Sequence, residues 1–395
     1  MCTRVYNDGL HRPCIQHDAV SVIEMTGNMK AMIALVLVSA LVSGGIAVSD
    51  SSDADEGFTV TDSTGKTFTY SAASEHIIVT GYAATLTIIE SGMAEKIYAV
   101  DQYGAVAFDD KGLERPANVW TTTYNDTSAL KSNIVHAAGE SGFDIVTDTV
   151  ILTTYKTDFV GSDGNSGLRA ELMKEGFRYV PFYGSIVDYN AIVSCVRDIE
   201  NITGSTSNLT ASMMSAYDEV TAAVASEEKK DAIFLRYSSS KGWGIGVSGS
   251  IAVALLEAAG GNNIGSSAGK DTVYNQMKIV ELLSDHPDAL IFIDSPYFDT
   301  YEGTFDKFID EVMGGNQGNH GIVKMLKTWN NYDPAAADGL KAVAHVMHPD
   351  AVDGTLEAYY ADKGDGDSSV MLYVGIGAAA IIAAVGVLLF IRSRN

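Results

Sequence analysis

Cysteine is scarce in this 395-residue chain, with three in all. That excludes a disulfide-stapled scaffold, as does the length. Basic residues are also few: 26 Lys and Arg stand against 50 Asp and Glu, for a net charge of −24. Such a chain repels phosphate backbones, which excludes nucleic acid as the natural partner. The eight histidines include no HxH or HxxxH spacing, so no metal site is written in the pattern. His345 and His348 lie three apart on an expected helix and read as structural. The chain also lacks a G-x-S-x-G elbow, a P-loop and a dinucleotide-binding glycine fingerprint. Gly242-Trp-Gly-Ile-Gly246 has neither the spacing nor the helix onset of a phosphate loop, and Asp109-Asp110 reads as solvated surface rather than a catalytic dyad.

Apolar residues make up 46 % of the chain and charged residues 19 %, so the acidic balance does not mark disorder. The mean hydropathy of +0.08 is high for so acidic a chain. Two charge-free runs account for it. The first follows Lys30, holds Ala31-Met-Ile-Ala-Leu-Val-Leu-Val38 and ends in small residues near Ser49. It reads as a secretory signal over 29–49 starting at Met29, with 1–28 an upstream extension and an uncleaved anchor as the alternative. The second is Val370 to Ile391, 22 residues without charge, followed by Arg392 and Arg394. It is long enough to cross a bilayer as a transmembrane helix, and the arginines mark the tail as cytoplasmic. The body then lies outside the cell on a polar, Gly-rich linker, 361–369. Between the two runs, residues 50–369 hold 47 acids and 21 bases. Sequons at Asn125, Asn201 and Asn208 fall in this exported body. Its one cysteine, Cys195, sits among Ile192, Val196 and Ile199 and reads as a buried thiol.

The body opens with a hairpin pattern over Phe58–Tyr70, centred on Gly65. Short apolar strands then alternate with helices: strand 76–80 and a helix to Glu90, strand 96–100 and a loop, strand 149–152 and a helix near 167–175, strand 177–180 and a helix to about 202. One uninterrupted helix is expected over 207–227. The rhythm restarts with strand 232–235, helix 251–259, strand 289–293, helix 305–313 and helix 335–347. The expected fold is α/β: two Rossmann-like lobes with parallel sheets, 57–205 and 229–360, joined by a long helix over 206–228, with a ligand cleft between them. Thr147-Asp-Thr-Val-Ile-Leu152 echoes Pro287-Asp-Ala-Leu-Ile-Phe292, each an Asp entering a buried strand. Ligands of open α/β sheets sit beyond the carboxyl ends of the strands. The candidates there are Tyr82, Tyr103, Trp120, Tyr124, Tyr155, Lys156, Tyr183, Arg236, Tyr237, Trp243 and Tyr297, with Gly81, Gln102 and Phe182 beside them. Tyrosine and tryptophan offer broad rigid contact area with a polar tip, suited to gripping a large ligand.

At Ala259-Gly-Gly-Asn-Asn-Ile264 with Pro287-Asp-Ala-Leu-Ile291, the chain resembles the substrate-binding proteins of ABC importers for iron complexes and cobalamin, whose lobes are joined by a rigid helix. Val60-Thr-Asp-Ser-Thr-Gly-Lys-Thr-Phe68, His76-Ile-Ile-Val79 and Glu95-Lys-Ile-Tyr-Ala-Val100 extend the resemblance from about Phe58 to Lys363. Anchoring by a C-terminal helix rather than a lipid resembles the archaeal type. The resemblance implies capture of a siderophore, haem or corrinoid and delivery to an ABC permease and its ATPase, without enzymatic activity and without a resident cofactor. It also implies an acidic residue on the first helix of each lobe for permease docking. Leu86 and Ala254 occupy those places here, with Glu90 and Glu257 one turn further on as substitutes. Lys156 and Arg236 are the clear cations of the expected cleft, too few for a highly anionic chelate and better matched to a neutral or cationic one. Two other readings remain: a surface sensor or scavenger without a permease, and an extracellular enzyme.

Overall fold

The computed structural model describes residues 57–121, 126–140, 142–153, 159–161, 166–184, 186–269, 272–326, 329, 331–353 and 360–361. Strands β1 (Phe58–Thr61) and β2 (Thr67–Tyr70) form the expected antiparallel hairpin, with Val60 opposite Phe68. Alternation decides its two faces: Val60, Phe68 and Tyr70 are buried, while Thr59 and Thr61 face Thr69 and Thr67 on the exposed side. Asp62 begins the turn, accepting bonds from the Thr64 and Lys66 amides. Its other oxygen meets the fully buried Arg169 guanidinium and the Phe182 amide, which ties the hairpin to the first lobe.

That lobe is a parallel sheet of five strands: β3 (Ile77–Val79), β4 (Ile97–Asp101), β5 (Asn118–Trp120), β6 (Thr149–Thr153) and β7 (Phe182–Tyr183), in the spatial order β5-β4-β3-β6-β7. Helices α1 (Tyr82–Glu90) and α2 (Gln102–Asp110) contribute Ala83, Ala84, Ile88, Ala105 and Phe108 to the core on one face. Helices α3 (Thr127–Gly139) and α4 (Gly167–Lys174) cover the other with Leu130, Ile134, Leu168 and Leu172. The central strand β3 is fully apolar and β6 beside it is fully buried, as a sheet covered on both sides requires.

Helix α5 (Tyr189–Thr203) buries Ile192, Cys195, Val196, Ile199 and Ile202 along one stripe and starts at Asp188, whose carboxylate accepts the Ala191 amide. The linking helix α6 (Leu209–Val224) follows. Its N-terminal amide at Leu209 is held by Glu200, which also accepts the Ser207 and Thr210 hydroxyls, so the bend between the two helices is fixed by one carboxylate.

The second sheet contains β8 (Lys230–Ser238), β9 (Gly242–Ile245), β10 (Gly261–Asn263), β11 (Leu290–Asp294), β12 (Ile322–Met325) and β13 (Tyr360–Ala361). The order is β10-β8-β11-β12-β13, with β9 antiparallel on the far half of β8. The pairs among β10, β8, β11 and β12 are parallel, and β13 is antiparallel to β12. Helices α7 (Ile251–Ala258) and α11 (Ala336–Met347) pack on one face, and α8 (Gln276–Asp285) and α10 (Phe305–Met313) on the other. A short helix, α9 (Pro296–Asp299), follows β11. One continuous core runs from Tyr70 and Ile88 through α5 and α6 to Leu256, Phe292 and Val343, so the two sheets share a hydrophobic interior.

Three local expectations change. The segment after β4 is a helix, α2, not a loop: the Asp101 carboxylate caps it by accepting the Gly104 amide. The strand expected over 177–180 lies later, at β7, leaving Tyr179 with a single bridge to Thr149. The long helix is shorter than 207–227, because Asn208 stands at its start and Ala225 at its end. Among the described residues no helix is long and apolar enough to cross a membrane. The apolar runs 31–49 and 370–391 lie outside the described residues.

Candidate ligand-binding face

The connections place a topological switch point in each sheet. In the first lobe β3 leads to β4 through α1 on one face, whereas β6 leads to β7 through α4 on the other, so the crevice opens between β3 and β6. In the second, α7 carries β8 toward β10 on one face and α10 carries β11 toward β12 on the opposite face. The crevice there opens between β8 and β11.

The first switch point is neutral and closed. Thr80 and Thr153 are both buried; the Thr153 amide donates to Thr80 Oγ1 at 2.8 Å and the Thr153 hydroxyl donates to the Thr80 carbonyl. Gly81 follows at φ 84°, a left-handed backbone that glycine adopts without strain, and its amide donates to Asp101 Oδ1 at 3.0 Å. Tyr82 then begins α1, and its hydroxyl donates to Asp110 at 2.9 Å. Burial first, and the Asp110 carboxylate next, push the Tyr82 phenol well up. Tyr103, 40 % exposed, stands at the start of α2. Trp120 ends β5 with its ring buried and its indole N–H without a partner among the described residues.

Tyr183 is placed differently from its neighbours. Its ring is buried against α5, and its hydroxyl donates to Asp198 at 3.1 Å. Burial pushes the phenol well up, and burial also raises the Asp198 carboxyl to about 6. Tyr183 and Phe182 therefore belong to the packing of the lobe, not to an open surface. Tyr124, Tyr155 and Lys156 lie outside the described residues.

The second switch point is aromatic and charged. β11 runs beside Ala232–Leu235, so Arg236, Tyr237 and Ser238 extend past it and pair with β9, Tyr237 opposite Trp243. The Tyr237 ring meets Trp243 at 5.2 Å, Tyr297 at 5.5 Å and Tyr301 at 5.2 Å between centroids. Trp243 and Tyr297 lie 4.5 Å apart and form the buried floor, 5 % and 1 % exposed. Phe308 seats Trp243 from beneath. Tyr237 is half-buried and Tyr301 is 37 % exposed, so these two present the outer surface. Gly303 lies flat on the Tyr297 ring, where a Cβ would come within 2.4 Å of it, and the Tyr297 hydroxyl donates to the Thr304 carbonyl at 3.3 Å. Beside Gly303, Glu302 holds a positive φ of 52°, the one non-glycine residue to do so among the described residues.

Arg236 is exposed and Asp294 half-buried. Burial raises the Asp294 carboxyl to about 6, although the Arg236 charge pulls it down. The sequence alone did not single out Asp294, Tyr301, Thr80 or Thr153. Tyr301 stands four residues after Tyr297, and that spacing was its available signal. The proposed docking acids sit on the helix surfaces: Glu90 accepts Lys111 at 2.7 Å, and Glu257 is exposed on α7. Leu86 is 2 % exposed and faces the interior, which accounts for its apolar character.

A surface pocket of about 330 Å³ lies at the opposite pole of the second sheet, lined by α8 and α10 with Pro287 and His320. Both of those residues precede strands, so that pocket is remote from the carboxyl ends. Among the described residues no group of three His, Cys, Asp or Glu side chains is gathered to hold a metal ion.

No protein-family model and no curated protein matches the chain in sequence. Solved structures do match in fold. The Helicobacter pylori CeuE nickel–histidine complex aligns with 75 % of this chain and 90 % of its own, at TM-score 0.54 and 16 % identity. The periplasmic haem-binding protein HutB of Vibrio cholerae aligns over 70 % of this chain and all of its own, at TM-score 0.52 and 15 % identity. The periplasmic haem-binding protein RhuT of Roseiflexus sp. RS-1, in its apo form, covers 71 % of this chain at TM-score 0.50 and 13 % identity. The chain shares its fold with these structures, two of them periplasmic haem-binding proteins.

Proposed function

We propose that this chain is an extracellular substrate-binding protein of an ABC importer, held to the membrane through 370–391, that captures an iron complex or a corrinoid and passes it to a permease. The observation that carries this reading is the aromatic face at the β8/β11 switch point, where the half-buried Tyr237 and the exposed Tyr301 lie over a buried Trp243–Tyr297 floor. A ligand-binding surface of this kind is pre-formed, so capture needs little rearrangement of the second lobe. The shared core through α5 and α6 restricts opening, as a rigid linker between lobes would. The binding face holds few cations, which favours a neutral or cationic chelate such as a ferric hydroxamate or a corrinoid; haem is retained with a tyrosine as axial ligand. From the first lobe, Tyr103, exposed at the start of α2, joins this face.

Calorimetric titration of the purified chain with a ferric trihydroxamate, haem, cobalamin and a ferric tris-catecholate tests the reading. Saturable 1:1 binding of one of the first three, tighter than the tris-catecholate, is the expected result. Exclusive tight binding of the tris-catecholate contradicts the ligand class, and no binding of any contradicts the function. A second reading, a sensor or scavenger with no permease, is favoured by the burial of Leu86 and by Ala254 at the other docking place. Uptake of the bound complex by cells, lost in a Glu90→Ala/Glu257→Ala double variant that still binds ligand, separates the two.

A further inference from the structure

Two of the sequons lie at the bend between α5 and α6, and the fold leaves them in different states. Asn201 is exposed in the last turn of α5, but Thr203, two residues on, is fully buried. The Thr203 hydroxyl donates back to the Ile199 and Glu200 carbonyls at 2.8 and 3.0 Å, so that sequon is locked into the helix. Asn208 stands outside both helices, exposed, at the start of α6. An asparagine there ordinarily caps the helix with its own side chain. Here Glu200 accepts the Leu209 amide at 3.1 Å instead, and the Asn208 carboxamide makes no capping bond. Thr210 is half-buried in the first turn of α6, with its hydroxyl on Glu200. Turning that hydroxyl outward leaves Glu200 with the Leu209 amide and the Ser207 hydroxyl, and a first helical turn opens at little cost. Around Asn208 the outer surface is built of small exposed residues, Thr206, Ala211, Ser212 and Ser215. The bend lies at the amino ends of the first sheet: the Ile202 carbonyl accepts the Ser74 amide just before β3, and the Ser205 hydroxyl donates to the Ser91 carbonyl before β4. It is therefore remote from the carboxyl ends of the strands.

We propose that Asn208 is an N-glycosylation site, modified on the folded chain from a polyisoprenyl-phosphate-linked oligosaccharide, and that Asn201 is left unmodified. This inference rests on the extracellular placement in the proposed function, since it needs a transferase that meets the chain after export. Nδ2 of Asn208 attacks the anomeric carbon of the donor sugar. The C–N bond forms, the anomeric C–O bond to phosphate breaks, and the proton lost from Nδ2 leaves with the polyisoprenyl phosphate. The Thr210 hydroxyl, turned away from Glu200, is the third member of the sequon that the transferase reads. At Asn201 the same reading would require pulling Thr203 out of the core. The attached saccharide covers the hydroxyl-rich bend 205–207 and the first turns of α6, adding a bulky, solubilising group that leaves the aromatic face open.

The test isolates the full chain from the cells that naturally make it, after intact cells are treated with an amine-reactive biotin reagent that does not cross membranes. Electron-transfer fragmentation of tryptic peptide 198–229, which carries both sequons, reads the mass on each asparagine. The expected result is a biotinylated chain with an oligosaccharide mass on Asn208 and none on Asn201. The corresponding electrophoretic shift is lost in Asn208→Gln and kept in Asn201→Gln. Thr210→Ser, which preserves the sequon, keeps the shift, and Thr210→Val, which preserves the shape without the hydroxyl, loses it. Unmodified Asn208 on a biotinylated chain, a saccharide on Asn201, or a shift retained in Thr210→Val overturns the inference and leaves the substrate-binding reading standing. A chain that the reagent labels only after the cells are broken overturns the extracellular reading itself, and the inference with it.

Discussion

Asp333 is a buried carboxyl whose proton is coupled to the stability of the fold. It lies between β12 and α11 with no exposed surface, and one oxygen accepts the Ala335 amide at 2.9 Å. The other has no hydrogen-bond partner among the described residues. Burial, with the nearby Glu90 carboxylate, pushes the group up to about 7, while the Ala335 amide, Lys111 and Asn331 pull it down. In the unfolded chain an aspartate titrates near 4. The folded state therefore holds a proton that the unfolded state has released, and stability falls as pH rises from about 4 to 7. Charging the buried group at about 7 instead of near 4 costs about 4 kcal/mol. Asp333→Asn keeps the acceptor for Ala335 and removes the charge, at the expense of a buried amide nitrogen that replaces a hydroxyl. We expect the variant to match the wild type within about 1 kcal/mol at pH 5 and to exceed it by about 2–4 kcal/mol at pH 8. Urea unfolding followed by tryptophan fluorescence is a suitable assay, since Trp120, Trp243 and Trp329 are all buried. Asp198 and Asp294, each raised to about 6, add to the wild-type slope in the same direction, so the decisive quantity is the variant-minus-wild-type difference. A variant that is less stable at pH 8, or that shifts stability equally at both pH values, refutes the reasoning.

Arg169→Met strands the buried Asp62 carboxylate and is expected to cost about 3–5 kcal/mol, read as a lower urea midpoint; a midpoint unchanged from wild type would show that the pair is dispensable. Trp243→Ala empties the floor of the aromatic face and should destabilise the protein by about 3–5 kcal/mol, whereas Tyr301→Ala should leave the melting temperature nearly unchanged and weaken ligand binding by about 1 kcal/mol. Affinity unchanged in Tyr301→Ala moves the binding surface elsewhere. The Cys195 thiol is buried among α5's core residues and burial pushes its ionisation up, so it should resist a thiol reagent until the chain is unfolded with urea.

The sequence carried most of the architecture because hydrophobic period dominates it. The hairpin, β11, α7, α10 and α11 emerge within a residue or two of their expected bounds, each having a clean period of 2 or 3.6 or a fully apolar run. The missed or shifted elements are set by longer-range bonds. Helix α2 depends on Asp101, whose carboxylate serves both the Gly104 amide and the Gly81 amide from the preceding turn. Helix α3 starts at Asp126, which caps Ala129. β7 is positioned by Asp62, 120 residues earlier, through the Phe182 amide. The candidate face was legible as aromatic residues at strand ends, but burial was not. Tyr183 and Tyr297 have similar sequence settings to Tyr237, yet α5 and Gly303 cover them. Asp294 was hidden because a charge ending an apolar strand resembles any strand terminus.

The central claim is that the aromatic switch point binds a metal chelate. Its most direct test is fluorescence titration of the wild-type chain and Tyr237→Ala/Tyr301→Ala with a ferric trihydroxamate. Saturable quenching at one equivalent in the wild type, with affinity reduced about tenfold or more in the double variant, is the predicted result. Saturation in both proteins at the same concentration, or no quenching in either, contradicts it.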